Sequence, residues 1–146
     1  FKQILVPHYK RITGTLSKYG VDIVFLDCDG SIDMLAPLWL EAGVSTMFPI
    51  EVGKWKADPV EFRRRYGKDM RLMGGFDKHI LMHGKDAIAR EIERLAPLVE
   101  EGGYIPMPDH RVPPDVRFDD YLFYLNEAKR VWGNGLDNIK PTGRPV

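Results

Sequence analysis

The sequence predicts an α/β protein with a parallel sheet: one helix, then about four strand–helix units. Three observations carry that prediction. Short, bare apolar runs alternate with segments of helical period; the runs lack the strict in/out alternation of a half-solvated strand; and Gly and Pro punctuate the boundaries. Four such units make half of a (β/α)8 barrel or most of a small doubly wound sheet, and periodicity alone leaves both open.

The elements follow in order. Tyr9, Ile12, Leu16 and Tyr19 fall at helical spacing and stop at Gly20. Ile23 to Leu26 is an apolar run that reads as a strand covered on both faces and ends in Asp27-Cys28-Asp29-Gly30. A helix is predicted from about Ser31, with Leu35, Leu38, Trp39 and Ala42 inward, and with Pro37 tolerated only near its first turn. Val44 to Ile50 is the second strand segment. Asp58-Pro59-Val60-Glu61 then combines an N-cap, a proline at the first helical position and a capping-box partner, starting a helix that runs to about Tyr66. Arg71 to Met73 fits a third strand. Ile88, Ile92, Leu95 and Val99 mark the next helix, with Pro97 expected to kink it and Gly102-Gly103 to close it. Tyr104 to Met107 is the fourth strand, and Phe118, Tyr121, Leu122, Leu125 and Val131 outline the last helix. The tail after Trp132, rich in Gly, Pro and Asn, is expected to be extended.

With no repeat or low-complexity linker, residues 1–146 are read as a single domain. The 21 Lys+Arg balance 21 Asp+Glu, so the chain offers no field for a nucleic-acid backbone or an anionic membrane surface. No apolar run approaches the ~20 residues of a membrane span. Cys28 is the only cysteine, which excludes an internal disulfide and any multi-cysteine zinc site and fits a reducing, cytoplasmic compartment.

In either parallel architecture ligands bind at the carboxyl ends of the strands, and here those ends are acidic. The first run ends in Asp27 and Asp29, the second in Glu51, the third in Asp77 and the fourth in Asp109-His110-Arg111. The bland alternative is that these carboxylates cap the helices that follow. Asp27 and Asp29 share one side of an extended chain, which turns Cys28 toward the packed helices and makes it a buried, inert thiol between carboxylates. His110 is a candidate proton donor or anion binder, with Asp109 able to fix its tautomer; a turn histidine bonded to backbone is the competing reading. His8, His79 and His83 are expected on solvated surface. Three carboxylates and His110 could hold a divalent metal, but ligands so scattered in sequence are a thin basis for one, and no cofactor is assigned.

Two resemblances follow from particular segments. Val24-Phe25-Leu26-Asp27-Cys28-Asp29-Gly30-Ser31 resembles the opening motif of haloacid-dehalogenase-type phosphatases, which implies Asp27 as nucleophile, Asp29 as general acid/base and bound magnesium. That family also needs a lysine and a later acidic pair after an apolar strand, and the only candidate pair, Asp119-Asp120, starts a helix instead. The second resemblance runs along nearly the whole chain: YGVDIVFLDCDGSID, LWLEAGV, FPIEVGKW, YGKDMRLMGGFDKHIL and GGYIPMPDHRVPPDV, in order, are similar to the carboxyl-terminal half of the uroporphyrinogen decarboxylase superfamily.

This resemblance implies a (β/α)8 (TIM) barrel of roughly twice this length, here represented by a half barrel. It implies one of two chemistries, metal-free decarboxylation of acetate side chains on a porphyrinogen or methyl transfer from a corrinoid to a thiol at a zinc site. Decarboxylases place a substrate-contacting histidine in a Gly-His-Gly turn, to which His110 corresponds, although Asp109 replaces the first Gly. Methyltransferase members carry His-x-Cys-Gly where this chain has Asp27-Cys28-Asp29-Gly30, and a second zinc cysteine that is lacking here.

The expected reading is therefore a carboxy-lyase-like protein for a tetrapyrrole-like, carboxylate-bearing small molecule. His110, Asp29 and Asp27 are its candidate catalytic groups, and Glu51, Asp77, Asp109 and Arg111 its substrate-binding rim. The alternatives are a methyltransferase-like protein and a non-catalytic tetrapyrrole- or corrinoid-binding module. A half barrel leaves two strand edges and an apolar face open, so a homodimer is expected, beside the reading that the chain is a piece of a longer enzyme.

Overall fold

The computed structural model describes residues 1–133; the expected extended tail lies outside the described residues. The elements are α1 (Leu5–Lys18), β1 (Phe25–Asp27), α2 (Ala36–Glu41), β2 (Thr46–Ile50), α3 (Pro59–Tyr66), β3 (Arg71–Phe76), α4 (Lys85–Glu101), β4 (Tyr104–Pro108) and α5 (Phe118–Trp132). Short 3-10 turns cover Gly67–Asp69 and Lys78–Met82. The four strands lie side by side in the order β1-β2-β3-β4, all parallel. This is the predicted parallel α/β class, and a sheet in strict chain order is consistent with part of a TIM barrel. No described helix is long and apolar enough to cross a membrane.

The core lies between one face of the sheet and the helices. Met47, Ile50, Leu72 and Phe76 from the strands pack with Trp39, Phe62, Ile88, Ile92, Leu95, Tyr124 and Trp132 from the helices. Ile88, Ile92 and Leu95 are fully buried, as their spacing predicts. The Trp132 indole donates to the Ile92 carbonyl (3.0 Å), and the Tyr104 hydroxyl donates to the Gly74 carbonyl (2.8 Å), so both buried polar tips are satisfied. At the start of α3 the Asp58 carboxylate accepts from the Val60 N–H (2.9 Å), but Glu61 turns outward to Arg64 and does not complete the capping box.

Three local expectations are corrected. α2 begins at Ala36 rather than near Ser31: Pro37 needs a first-turn position, and residues 32–35 form only a turn that leads into it. β3 extends to Phe76, three residues beyond the predicted end, because Gly74 and Gly75 pair with Pro106 and Met107 of β4. β1 is not covered on both faces. Leu26 packs against the core, but Phe25 is 58% exposed, because β1 is an edge strand and no described helix lies over the face that Phe25 occupies. Ile23 and Ile105 share this open apolar region with Phe25, Thr46 and Met73 around a cavity of about 330 Å³.

Gly75 shows how closely the layers approach. Its φ is +83°, and an added Cβ would stand 2.7 Å from Cγ of Pro59 at the start of α3. Gly84, at φ +81°, has open space around the same position. Gly75→Ala is therefore expected to destabilise the fold by about 1–3 kcal/mol more than Gly84→Ala. Denaturant unfolding midpoints of the two variants check this, and equal midpoints would contradict the steric account.

Candidate functional site

The carboxyl ends of β1, β2 and β4 meet around a cavity of about 320 Å³. Asp27, Asp29, Asp109, His110 and Arg111 supply its polar lining, Phe48, Pro49, Met107 and Pro108 its apolar lining. Parallel strands place successive loops at one end of the sheet, so residues more than eighty positions apart in sequence come together.

Pairing continues just past β1, where the Cys28 N–H donates to the Phe48 carbonyl (2.8 Å). The alternation holds, with Asp27 and Asp29 exposed toward the cavity and Cys28 on the opposite side, but Cys28 is only partly buried against the core rather than enclosed in it as the sequence suggested. Glu51, at the end of β2, accepts a short hydrogen bond from the Gly30 N–H and so ties the β1 loop to the β2 loop. Single ligand atoms of Asp29, Glu51 and His110 all lie within 4.8 Å of one another.

Asp109 borders the same cavity, but its carboxylate is engaged by the protein's own donors. It is fully buried. Its Oδ2 accepts the N–H groups of Val52 (2.9 Å) and Gly53 (3.2 Å), while Oδ1 accepts the Lys78 N–H (3.1 Å) and lies 3.4 Å from Lys78 Nζ. One carboxylate thus clamps the loops after β2 and β3 onto the end of β4, immediately before His110. Its two oxygens carry four donors, which is what makes a buried carboxylate tolerable.

Asp77 is not brought into the cavity lining. It caps the turn Lys78–Met82 by accepting from the His79 N–H (2.9 Å) and pairs with His79 Nδ1 (2.8 Å). Asp119 and Asp120, the acidic pair that a phosphatase would require, line a separate cavity with His83, Lys85 and Arg117 at the amino ends of α4 and α5. They do not join Asp27. Sequence reasoning missed Lys78, the cation of the Asp109 clamp, and the apolar walls from Phe48-Pro49 and Met107-Pro108. Those two Xaa-Pro pairs at strand ends were the only available signal.

The zinc site of methyltransferase-type members rests on thiolates. Here Asp29 stands where their cysteine does, Cys28 lies on the other side of the strand, half-buried against the core, and the converging donors are two carboxylates and an imidazole. That set does not fit a thiolate zinc centre, but it does fit an oxygen-preferring divalent ion.

Two outcomes follow from this geometry. Asp109→Ala strands the N–H groups of Val52, Gly53 and Lys78 together with the Lys78 ammonium, and is expected to cost about 3–5 kcal/mol of stability in denaturant unfolding. A loss below about 1 kcal/mol would show that the clamp is dispensable. Burial pushes the Cys28 thiol above its ordinary range, and the neighbouring charges of Asp29, Asp27 and Glu51 add to the rise. Iodoacetamide is therefore expected to alkylate Cys28 more slowly than free cysteine at pH 8, with a rate still climbing above the usual thiol range of about 8.5. A rate that levels off by pH 8 would refute this.

The whole-chain resemblance is matched by independent comparison. The family model described as uroporphyrinogen decarboxylase (URO-D) matches residues 1–131. A uroporphyrinogen decarboxylase of Picosynechococcus sp. is 26% identical over 132 residues, covering 90% of this chain and 36% of that protein. One of Synechocystis sp. is 30% identical over 77 residues, covering 53% of this chain and 22% of that protein. The chain thus spans about a third or less of the length of the curated relatives it matches. With 131 of its 146 residues under the family model, the chain belongs to the uroporphyrinogen decarboxylase family.

Proposed function

We propose that the cavity at the ends of β1, β2 and β4 binds a carboxylate-bearing, tetrapyrrole-like small molecule and serves carboxy-lyase chemistry of the family's kind. The observation that carries this reading is the meeting of Asp27, Asp29, His110 and Arg111 on one apolar-walled cavity. The apolar walls suit a ring system, and His110 with Arg111 suits its carboxylate. Protonation of the pyrrole ring gives a cation that a fixed negative charge stabilises. The electron pair released as CO2 leaves the acetate side chain flows into that ring, and the exocyclic methylene so formed takes a proton to become the methyl group as the ring gives up its extra proton. Positioned acids do that work: Asp27 and Asp29 face the cation, and His110 anchors the carboxylate or returns the proton.

The test uses the full chain and His110→Gln. Uroporphyrin binding is followed by fluorescence and CO2 release is measured from uroporphyrinogen. Turnover lost with binding retained supports the lyase. Binding without turnover in the unsubstituted chain, weakened by His110→Gln, supports instead a tetrapyrrole- or corrinoid-binding module. The absence of both in the unsubstituted chain would refute the proposal.

The open apolar face around Phe25 and Ile105 supports a second proposal, a homodimer in which the second copy covers that face. The single cysteine supports a cytoplasmic location. Light scattering across a concentration series is expected to give twice the 16.7 kDa chain mass, and a constant 16.7 kDa would overturn the dimer.

A further inference from the structure

Resting on the reading of the cavity as a site for a carboxylate-bearing ring system, we propose that Lys54 and Trp55, at the tip of the loop between β2 and α3, recognise that ligand from its rim. The Trp55 indole stacks on the flat ring, and the Lys54 ammonium pairs with a carboxylate at the ring's edge.

The position of the indole is the first support. It lies against Gly30: a Cβ added there would stand 3.6 Å from Cε2 and Cζ2 of Trp55 and 3.8 Å from Nε1. Gly30 directly follows Asp29, which lines the cavity, and its N–H donates to Glu51. The indole therefore stands one residue from the cavity wall, beside the ends of β1 and β2. Trp39 (2% exposed) and Trp132 (6%) are core residues, whereas Trp55 is 45% exposed. Exposure of one aromatic side chain is ordinary in itself; the construction of its loop is not.

That loop is closed on itself and strained at one point. The Ala57 N–H donates to the Glu51 carbonyl (3.3 Å) and the Lys56 N–H to the Val52 carbonyl, while Asp109 accepts the N–H groups of Val52 and Gly53. Lys56 has φ +54°, in the left-handed region, and among the described residues it is the only one other than glycine that does so. A side chain held in that conformation costs stability, and such strain concentrates where a loop must present particular groups. The groups presented here are the two residues before it. Lys54 Nζ stands over the Trp55 ring, 5.3 Å from its centroid, as a cation–π contact. The ammonium rides on a flexible four-carbon stem, so a flat ring can take its place on the indole while the charge swings to the ring's edge. A π surface and a cation thus share one preorganised tip, which matches a ring that carries acid groups.

The probe is uroporphyrin, added to the full chain. Acrylamide quenching of tryptophan emission reads Trp55, because the other two indoles are buried, and Trp55→Phe removes the accessible fraction. Saturating uroporphyrin is expected to hide Trp55 from acrylamide. Trp55→Ala is expected to raise Kd by about two- to tenfold, and Trp55→Phe to recover most of that loss. Lys54→Met is expected to weaken binding at low salt and to have little effect at high salt. Bound uroporphyrin with Trp55 still accessible, or an unchanged Kd in Trp55→Ala, would overturn the inference and leave the cavity reading in place. Equal weakening in Trp55→Ala and Trp55→Phe, with a lowered denaturant midpoint in both, would also overturn it, since Trp55 would then only hold the Gly30 loop. Low-salt binding unchanged in Lys54→Met would remove the part given to the ammonium. Failure of the unsubstituted chain to bind uroporphyrin would overturn both this inference and the functional reading beneath it.

Discussion

A single buried carboxylate determines where the loops at the carboxyl end of this parallel sheet meet. Asp109 accepts three backbone N–H groups from the loops after β2 and β3 and faces the Lys78 ammonium. A buried carboxylate costs several kcal/mol unless every lone pair is engaged, so the fold is stable only when those two loops are drawn onto the end of β4. His110 follows Asp109 directly, and Glu51 directly precedes the loop residues that Asp109 grips. The distance between the imidazole and the Glu51 carboxylate is therefore set by the same clamp that closes the core at this end of the sheet.

The two faces of the sheet carry different consequences of the same architecture. Helices cover one face and make the core, while Phe25, Ile23 and Ile105 stay open on the other. In a closed (β/α)8 barrel that second face is interior, filled by layers of side chains. The polar groups of the candidate site come instead from the strand ends.

Most of the fold was legible because its signals are local. Ile88, Ile92 and Leu95 announce α4 through period, and Asp58-Pro59 announces the start of α3 through capping chemistry. Boundaries were read less well where a proline decides the first turn, as at Pro37, or where cross-strand pairing lengthens a strand past its apolar run, as at Gly74 and Gly75. At the candidate site, the strand-end rule pointed to Asp27, Asp29, Glu51 and His110, which the structure brings to one end of the sheet. It could not separate Asp109, which turns inward as a clamp, from Asp77, which caps a turn, because all three uses begin with a carboxylate after an apolar run. Lys78 was invisible for a related reason: a lysine acquires a buried partner only through a contact across 31 positions.

Hydrogen exchange at the Val52, Gly53 and Lys78 amides tests the clamp most directly, comparing the unsubstituted chain with Asp109→Asn. The amide of asparagine loses the negative charge and one acceptor, so protection is expected to fall at all three amides together while the Ile92 and Leu95 amides of α4 stay protected. Unchanged protection at those three sites, or loss spread evenly over the chain, would contradict the view that Asp109 holds the loops of the site in place.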